Sequence, residues 1–118
     1  MLFRCFVMKE ICSIKETKTF LYLYKNANFY VGKFLVLYEL PNEFEFHRLG
    51  VVVGKKVGNS VKRSRVKRLI KENFRHRKDE LKGYHDFVFI ARKTESLPQY
   101  SQIKKEMKYL MKKLGVLD

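Results

Sequence analysis

Between Lys55 and Lys78 the sequence reads KKVGNSVKRSRVKRLIKENFRHRK, where eleven of twenty-four residues are Lys or Arg and only Glu72 is acidic. Cations at this density offer one chemistry, charge-assisted hydrogen bonding to the phosphates of a polyanion. The stretch holds +10 of the chain's formal charge of +14, leaving about +4 for the other ninety-four residues. At about 100° per residue, Val66, Leu69, Ile70, Phe74 and Leu81 share one arc of a helix, and Ser64, Arg65, Lys67, Arg68, Lys71, Arg75 and Lys78 share the opposite arc. Lys67, Lys71 and Arg75 then repel at i,i+4 spacing, a few tenths of a kcal/mol per pair. A solvated face interleaves both signs, so an external polyanion explains this one better. Ahead of it, KKVGNSV joins lysines and a Gly to a helix start that Asn59 or Ser60 can cap, a place that favours phosphate. No Gly-x-x-x-x-Gly-Lys-Ser/Thr run occurs, so nucleotide hydrolysis finds no support.

Other reactive side chains are poorly placed for catalysis. His47, His76 and His85 lack metal-ligand spacing to one another or to a cysteine. Glu43 and Glu45 flank a turn and read as solvated acids, and no Ser or Cys has a partner that would make it a nucleophile. Cys5 and Cys12, the only cysteines, supply no framework and are expected to be reduced thiols. Phe20, Tyr24, Phe34 and Tyr38 could stack bases of a single strand or simply fill a core, and the sequence leaves that choice open.

The elements that must position these groups follow from the pattern. A chain of 118 residues, 46% hydrophobic, can build one core. A helix capped at Ser13 carries Phe20, Leu23, Tyr24 and Ala27; strands are expected at Phe34–Leu40 and His47–Gly54, paired as a hairpin, with a short third strand at Lys55–Val57. After the basic helix come a strand at Asp86–Lys93 and a helix from Tyr100 to Leu114 that Gly115 ends. The reading is an α+β two-layer sandwich with a mixed sheet, in the order helix, strand, strand, short strand, helix, strand, helix. Residues 1–12 are expected to be a flexible N-terminal extension, with Met8 a possible alternative start, and residues 13–118 a single RNA-binding domain. No apolar run reaches the roughly 18 residues that cross a bilayer, so no membrane role is expected and the cytoplasm is the expected location.

The run KKVGNSVKRSRVKRLIKE closely resembles the signature of the bacterial ribonuclease P protein family, in which Lys-Lys and Gly-Asn lead into a helix with Arg-Asn-Arg and Lys-Arg-Leu-Ile. KTFLYLYKN, GKFLVLYEL, RLGVVVGKK and DFVFIARK resemble the family's flanking elements in the same order. Two departures stand out: Ser64 replaces the Asn of Arg-Asn-Arg, shortening its reach, and Ala27 stands where a Gly often ends the first helix. The resemblance implies a ribosomal protein S5 domain 2-like fold with a left-handed βαβ crossover, against the usual hand. It implies that a catalytic RNA with bound Mg²⁺ removes the 5′ leader of precursor tRNA, with no small-molecule substrate and no catalytic or metal-ligating residue in this chain. Carried over, Lys55, Lys56, Asn59, Arg63, Ser64, Arg65, Arg68 and Lys71 would bind the catalytic RNA, and Phe20, Tyr24, Val36, Tyr38 and Lys67 the leader. The composition alone also fits a ribosomal-type structural RNA-binding protein. A DNA-groove reader fits less well, since helix-turn-helix and zinc patterns are absent.

Overall fold

The computed structural model describes residues 11–118, so the expectations for a flexible extension over residues 1–10 and for a start at Met8 lie outside the described residues. Ile11–Ser13 forms β1, which takes Ile11 and Cys12 into the sheet ahead of the expected domain boundary. Ser13 is therefore a strand residue and not a helix cap. Cys12 is disulfide-bonded, contrary to the reduced thiol expected. Cys5, the only other cysteine in the sequence, lies outside the described residues.

Helix α1 spans Thr17–Asn26, followed by β2 (Asn28–Val31), β3 (Leu35–Pro41) and β4 (His47–Val52). A 3₁₀ turn at Lys55–Val57 leads into α2 (Ser60–Arg77), and a second at Lys78–Glu80 precedes β5 (His85–Ala91) and α3 (Tyr100–Lys113). The strand order is β1-β4-β5-β3-β2, with β1, β4 and β5 parallel to one another and β2–β3 and β3–β5 antiparallel. This is the expected α+β arrangement with a mixed sheet. Its strand–helix–strand unit is β4–α2–β5, whose strands are parallel neighbours.

Two local expectations fail. β3 and β4 do not form a hairpin, because β5 lies between them. Phe87, Val88 and Phe89 are completely buried, apolar toward both faces, and so require a central position that an edge could not give. The residues between Pro41 and His47 are enough to step across one intervening strand, about 10 Å. Lys55–Val57 is not a strand either: the Val57 N–H turns back to the Gly54 carbonyl at 3.1 Å.

Helices divide between the two faces of the sheet. Under α2 and α3, Val66, Ile70, Phe74, Ile103, Met107 and Leu110 close over Leu35, Leu37, Phe87 and Phe89, all fully buried. On the other face α1 supplies Leu23, which packs with Ile14 and Val88 in a smaller cluster and leaves Tyr38 and Ile90 only partly covered. One face is thus sealed, and the other is half open. The α3 stripe ends at Gly115, whose φ of 78° lets its N–H and that of Val116 return to the carbonyls of Lys112 and Met111.

Candidate nucleic-acid interface

The first part of the candidate surface is the outer side of α2. Asn59 is its N-cap: Oδ1 accepts the Lys62 backbone N–H at 2.9 Å, which settles the choice between Asn59 and Ser60. Only the Asn59 side-chain amide remains to meet a ligand. Val66, Ile70 and Phe74 anchor the helix, and Ser64, Arg65, Lys67, Arg68 and Lys71 are exposed, with Arg63 half-buried. Lys55 and Lys56 are exposed in the turn just before.

Ion pairing divides this helix sharply. Arg75 meets Glu72 at 3.3 Å, Arg77 meets Glu80 at 3.5 Å and Lys78 meets Asp79 at 2.9 Å, all at its C-terminal end. Among the described residues, none of the eight cations from Lys55 to Lys71 has a carboxylate partner. The acids are arranged to relieve repulsion where the helix ends, while its beginning is left charged. Leu81 lies beyond the helix, so the expected apolar arc is shorter by that residue, though Leu81 still packs on the core.

On the half-open sheet face, the Tyr24 and Tyr38 rings meet edge to face at 5.1 Å, and Phe20 stands 6.3 Å from Tyr24. Val36 is half-buried on the same face of β3. Phe20 lies over Gly50 of β4 so closely that a Cβ there would fall 2.6 Å from the ring, so the ring needs a glycine beneath it. It is half-buried and packs in the smaller core, whereas Tyr24 is open. Partial burial of Tyr24, with the Tyr38 phenol beside it, raises its pKa. Phe34 packs against the larger core and is not in this group.

The sequence reading missed Phe29. It lies opposite Tyr38 in the β2–β3 register, stacks on that ring at 5.3 Å and is 56% exposed. All four β2 residues are exposed, so the strand lacks the alternation that betrays a half-buried one; the aromatic, β-branched run Phe29-Tyr30-Val31 was the available signal. Lys67 does not join the aromatic group through any hydrogen bond or ring contact, because α2 and α1 cover opposite faces.

Most buried polar groups near these surfaces are already occupied; among the described residues Arg77 Nε of α2 is the exception, buried without a hydrogen-bond partner. Arg48 grips Asp86 through two hydrogen bonds of 2.8 and 2.6 Å, and Asn42 donates to the same carboxylate at 2.9 Å. His85 places Nδ1 2.7 Å from Glu39 Oε2 and Nε2 2.6 Å from the Lys82 carbonyl, two acceptors that the protonated ring, donating from both nitrogens, satisfies together. Burial alone would lower its pKa, but the Glu39 hydrogen bond, the Lys82 carbonyl and the charges of Glu39 and Asp86 together raise it. His47 behaves oppositely: burial first, and the charge of His85 second, push its pKa down to about 4. Its Nδ1 accepts the His85 backbone N–H at 3.3 Å. Among the described residues no three His, Cys, Asp or Glu side chains gather as a metal site, and no helix is long and apolar enough to cross a membrane.

The family model for ribonuclease P matches residues 8–115. The ribonuclease P protein component of Clostridium botulinum (strain 657 / Type Ba4) is 44% identical over 110 residues, covering 92% of this chain and 98% of that one. That of Alkaliphilus oremlandii is 37% identical over 111 residues, covering 94% and 97%. Among solved structures, the Staphylococcus aureus RNase P protein superposes with a TM-score of 0.79 at 31% identity over 90% of this chain and 97% of its own. The Thermotoga maritima RNase P protein does so with 0.77 at 26% identity over 86% and 96%.

Proposed function

The chain belongs to the ribonuclease P protein family, and on that premise we propose that its two surfaces divide the work: α2 docks on the catalytic RNA, and the half-open aromatic face takes the 5′ leader of precursor tRNA. Its role is that of the protein subunit of ribonuclease P, the enzyme of tRNA 5′ processing, and its partner is the ribonuclease P RNA. A purely structural ribosomal-type role is not favoured.

The observation that carries the division is the set of eight unpaired cations from Lys55 to Lys71, which ends where the ion pairs of Glu72, Asp79 and Glu80 begin. Lys55, Lys56, Asn59, Arg63, Ser64, Arg65, Arg68 and Lys71 would meet phosphates of the catalytic RNA, each displacing counterions. Tyr24, Tyr38 and Phe29 present rings on which splayed bases stack, with Phe20 and Val36 forming the floor. Lys67, in this reading, meets leader phosphate from the α2 side and not from within the aromatic group.

Mg²⁺ bound by the RNA would supply the hydrolytic chemistry, and the protein's part is to bind and orient. Only the precursor has a leader, so contacts to it favour substrate over product and help the mature tRNA leave. The test is reconstitution with the cognate catalytic RNA. Adding protein should lower the Mg²⁺ needed for cleavage and tighten precursor over mature tRNA. Equal tightening of both would reject the leader assignment.

A further inference from the structure

We propose that α3 carries a second phosphate-binding surface, formed by Lys104, Lys105, Lys108 and Lys112, which extends the catalytic-RNA footprint of α2 onto the neighbouring helix. This rests on the reading of α2 given above.

The charge pattern is the first argument. Helix α3 contains five lysines and one acid, Glu106. Lys104, Lys108 and Lys112 follow one another at i,i+4 spacing, where like charges repel. Glu106 cannot relieve them. Its two carboxylate oxygens are turned to the β2–β3 turn, accepting the backbone N–H groups of Lys33, Phe34 and Leu35 at 2.9, 2.7 and 2.6 Å. Among the described residues none of the five lysines has a carboxylate partner. The pattern matches that at the start of α2: a buried apolar stripe on one side and uncompensated cations on the other.

Placement is the second argument. Both helices pack on the same sheet face, and they touch where His76 Nδ1 of α2 lies 3.1 Å from the Tyr100 hydroxyl of α3. Their exposed side chains therefore project from one layer. On the α3 wheel, Ile103, Met107, Leu110 and Met111 define the buried side and Tyr100 marks the flank toward α2. Lys104 and Lys108 follow on that flank, and Lys112 and Lys105 point outward. All four are exposed. An RNA backbone lying across α2 meets them without leaving the layer, whereas the aromatic leader face lies on the opposite side of the sheet and Lys67 alone of the residues assigned to the leader lies on this one. The occupant is accordingly the catalytic RNA.

The experiment compares three proteins in the reconstituted holoenzyme: wild type, an α3 set (Lys104→Gln, Lys108→Gln, Lys112→Gln) and an α2 set (Arg65→Gln, Arg68→Gln). Affinity for the catalytic RNA is measured across a salt series. Each lost phosphate contact should reduce the slope of log K against log salt by about one. The α3 set should lose about two to three and the α2 set about two. A Lys→Arg version of the α3 set should restore the slope, which a folding defect would not allow. An unchanged slope in the α3 set beside a reduced slope in the α2 set would overturn the inference while leaving the reading of α2 intact. Unchanged slopes in both would overturn both. A loss confined to precursor tRNA would also overturn it, since the occupant would be the substrate.

Discussion

The Glu106 carboxylate accepts the Leu35 backbone N–H at 2.6 Å, joining residues seventy-one positions apart. With Phe34 and Lys33 donating to the same group, one side chain of α3 organises the turn between β2 and β3. Charge-assisted bonds of this kind are among the stronger ones in a protein. A Cβ on Gly32 would fall 2.5 Å from the carboxylate, so the turn and the acid fit each other closely. Glu106→Ala should destabilise the domain by roughly 2–4 kcal/mol, since three amides lose their acceptor. Glu106→Gln, which keeps one acceptor oxygen, should fall between. Urea unfolding measures both, and a value for Ala within error of wild type would contradict the assignment.

Asn59 separates structure from recognition. Its oxygen is committed to the Lys62 N–H, and its amide is not. Asn59→Asp keeps the cap acceptor and should preserve stability while weakening catalytic-RNA affinity. Asn59→Ala should in addition cost about 1 kcal/mol of stability through the lost cap. If Asp binds the RNA as well as Asn does, the amide makes no contact.

Phe29 is exposed and stacks on Tyr38, so its removal should scarcely change folding. If a leader base stacks on it, Phe29→Ala weakens precursor binding by about 1–3 kcal/mol and leaves mature tRNA unaffected. Parallel titrations with the two RNAs decide the matter. An equal loss for both would place Phe29 outside the leader path.

The two buried histidines oppose each other in pH dependence. His47 has a folded pKa of about 4, below its unfolded value of about 6.5, so acid protonates the unfolded chain first. It withdraws stability as pH falls through that window, on the order of 3 kcal/mol by the lower end. His85 has a raised folded pKa, so its contribution is complete below about pH 6.5 and is lost as pH rises through the folded value. In His47→Gln, which still offers an acceptor to the His85 N–H, the stability difference between pH 7 and pH 4.5 should shrink. An unaltered difference would show that His47 is not held neutral.

Much of this architecture is legible in the sequence because periodic apolar residues must be buried somewhere. The stripes of α2 and α3 follow directly from that pattern, and local hydrogen bonding narrows the cap of α2 to Asn59 or Ser60, between which the structure chooses Asn59. The pairing of β3 with β5 is not legible, because strand propensity says nothing about which of two apolar runs will be the neighbour. β1 and β2 are too short and too exposed to leave a periodic trace. At the candidate site, the cations of α2 announce themselves by composition, whereas Phe29 becomes visible only once β2 sets it opposite Tyr38. The withdrawal of Glu106 from the α3 lysines is a tertiary event between distant segments, beyond any local pattern.

The central place of β5 also dictates an order of assembly. β3 and β4 flank it, and until His85–Ala91 has left the ribosome each exposes an unpaired edge toward the gap between them. The sheet therefore closes late, through contacts distant in sequence, which slows folding relative to a fold of local hairpins. Helix α2 is synthesised before that strand and meets its apolar seat only when the strand arrives. A nascent chain halted before His85 should remain sensitive to protease over residues 35–77, and one extended past Gly115 should become resistant. Vectorial synthesis thus presents the cationic helix to its surroundings before the core that anchors it exists.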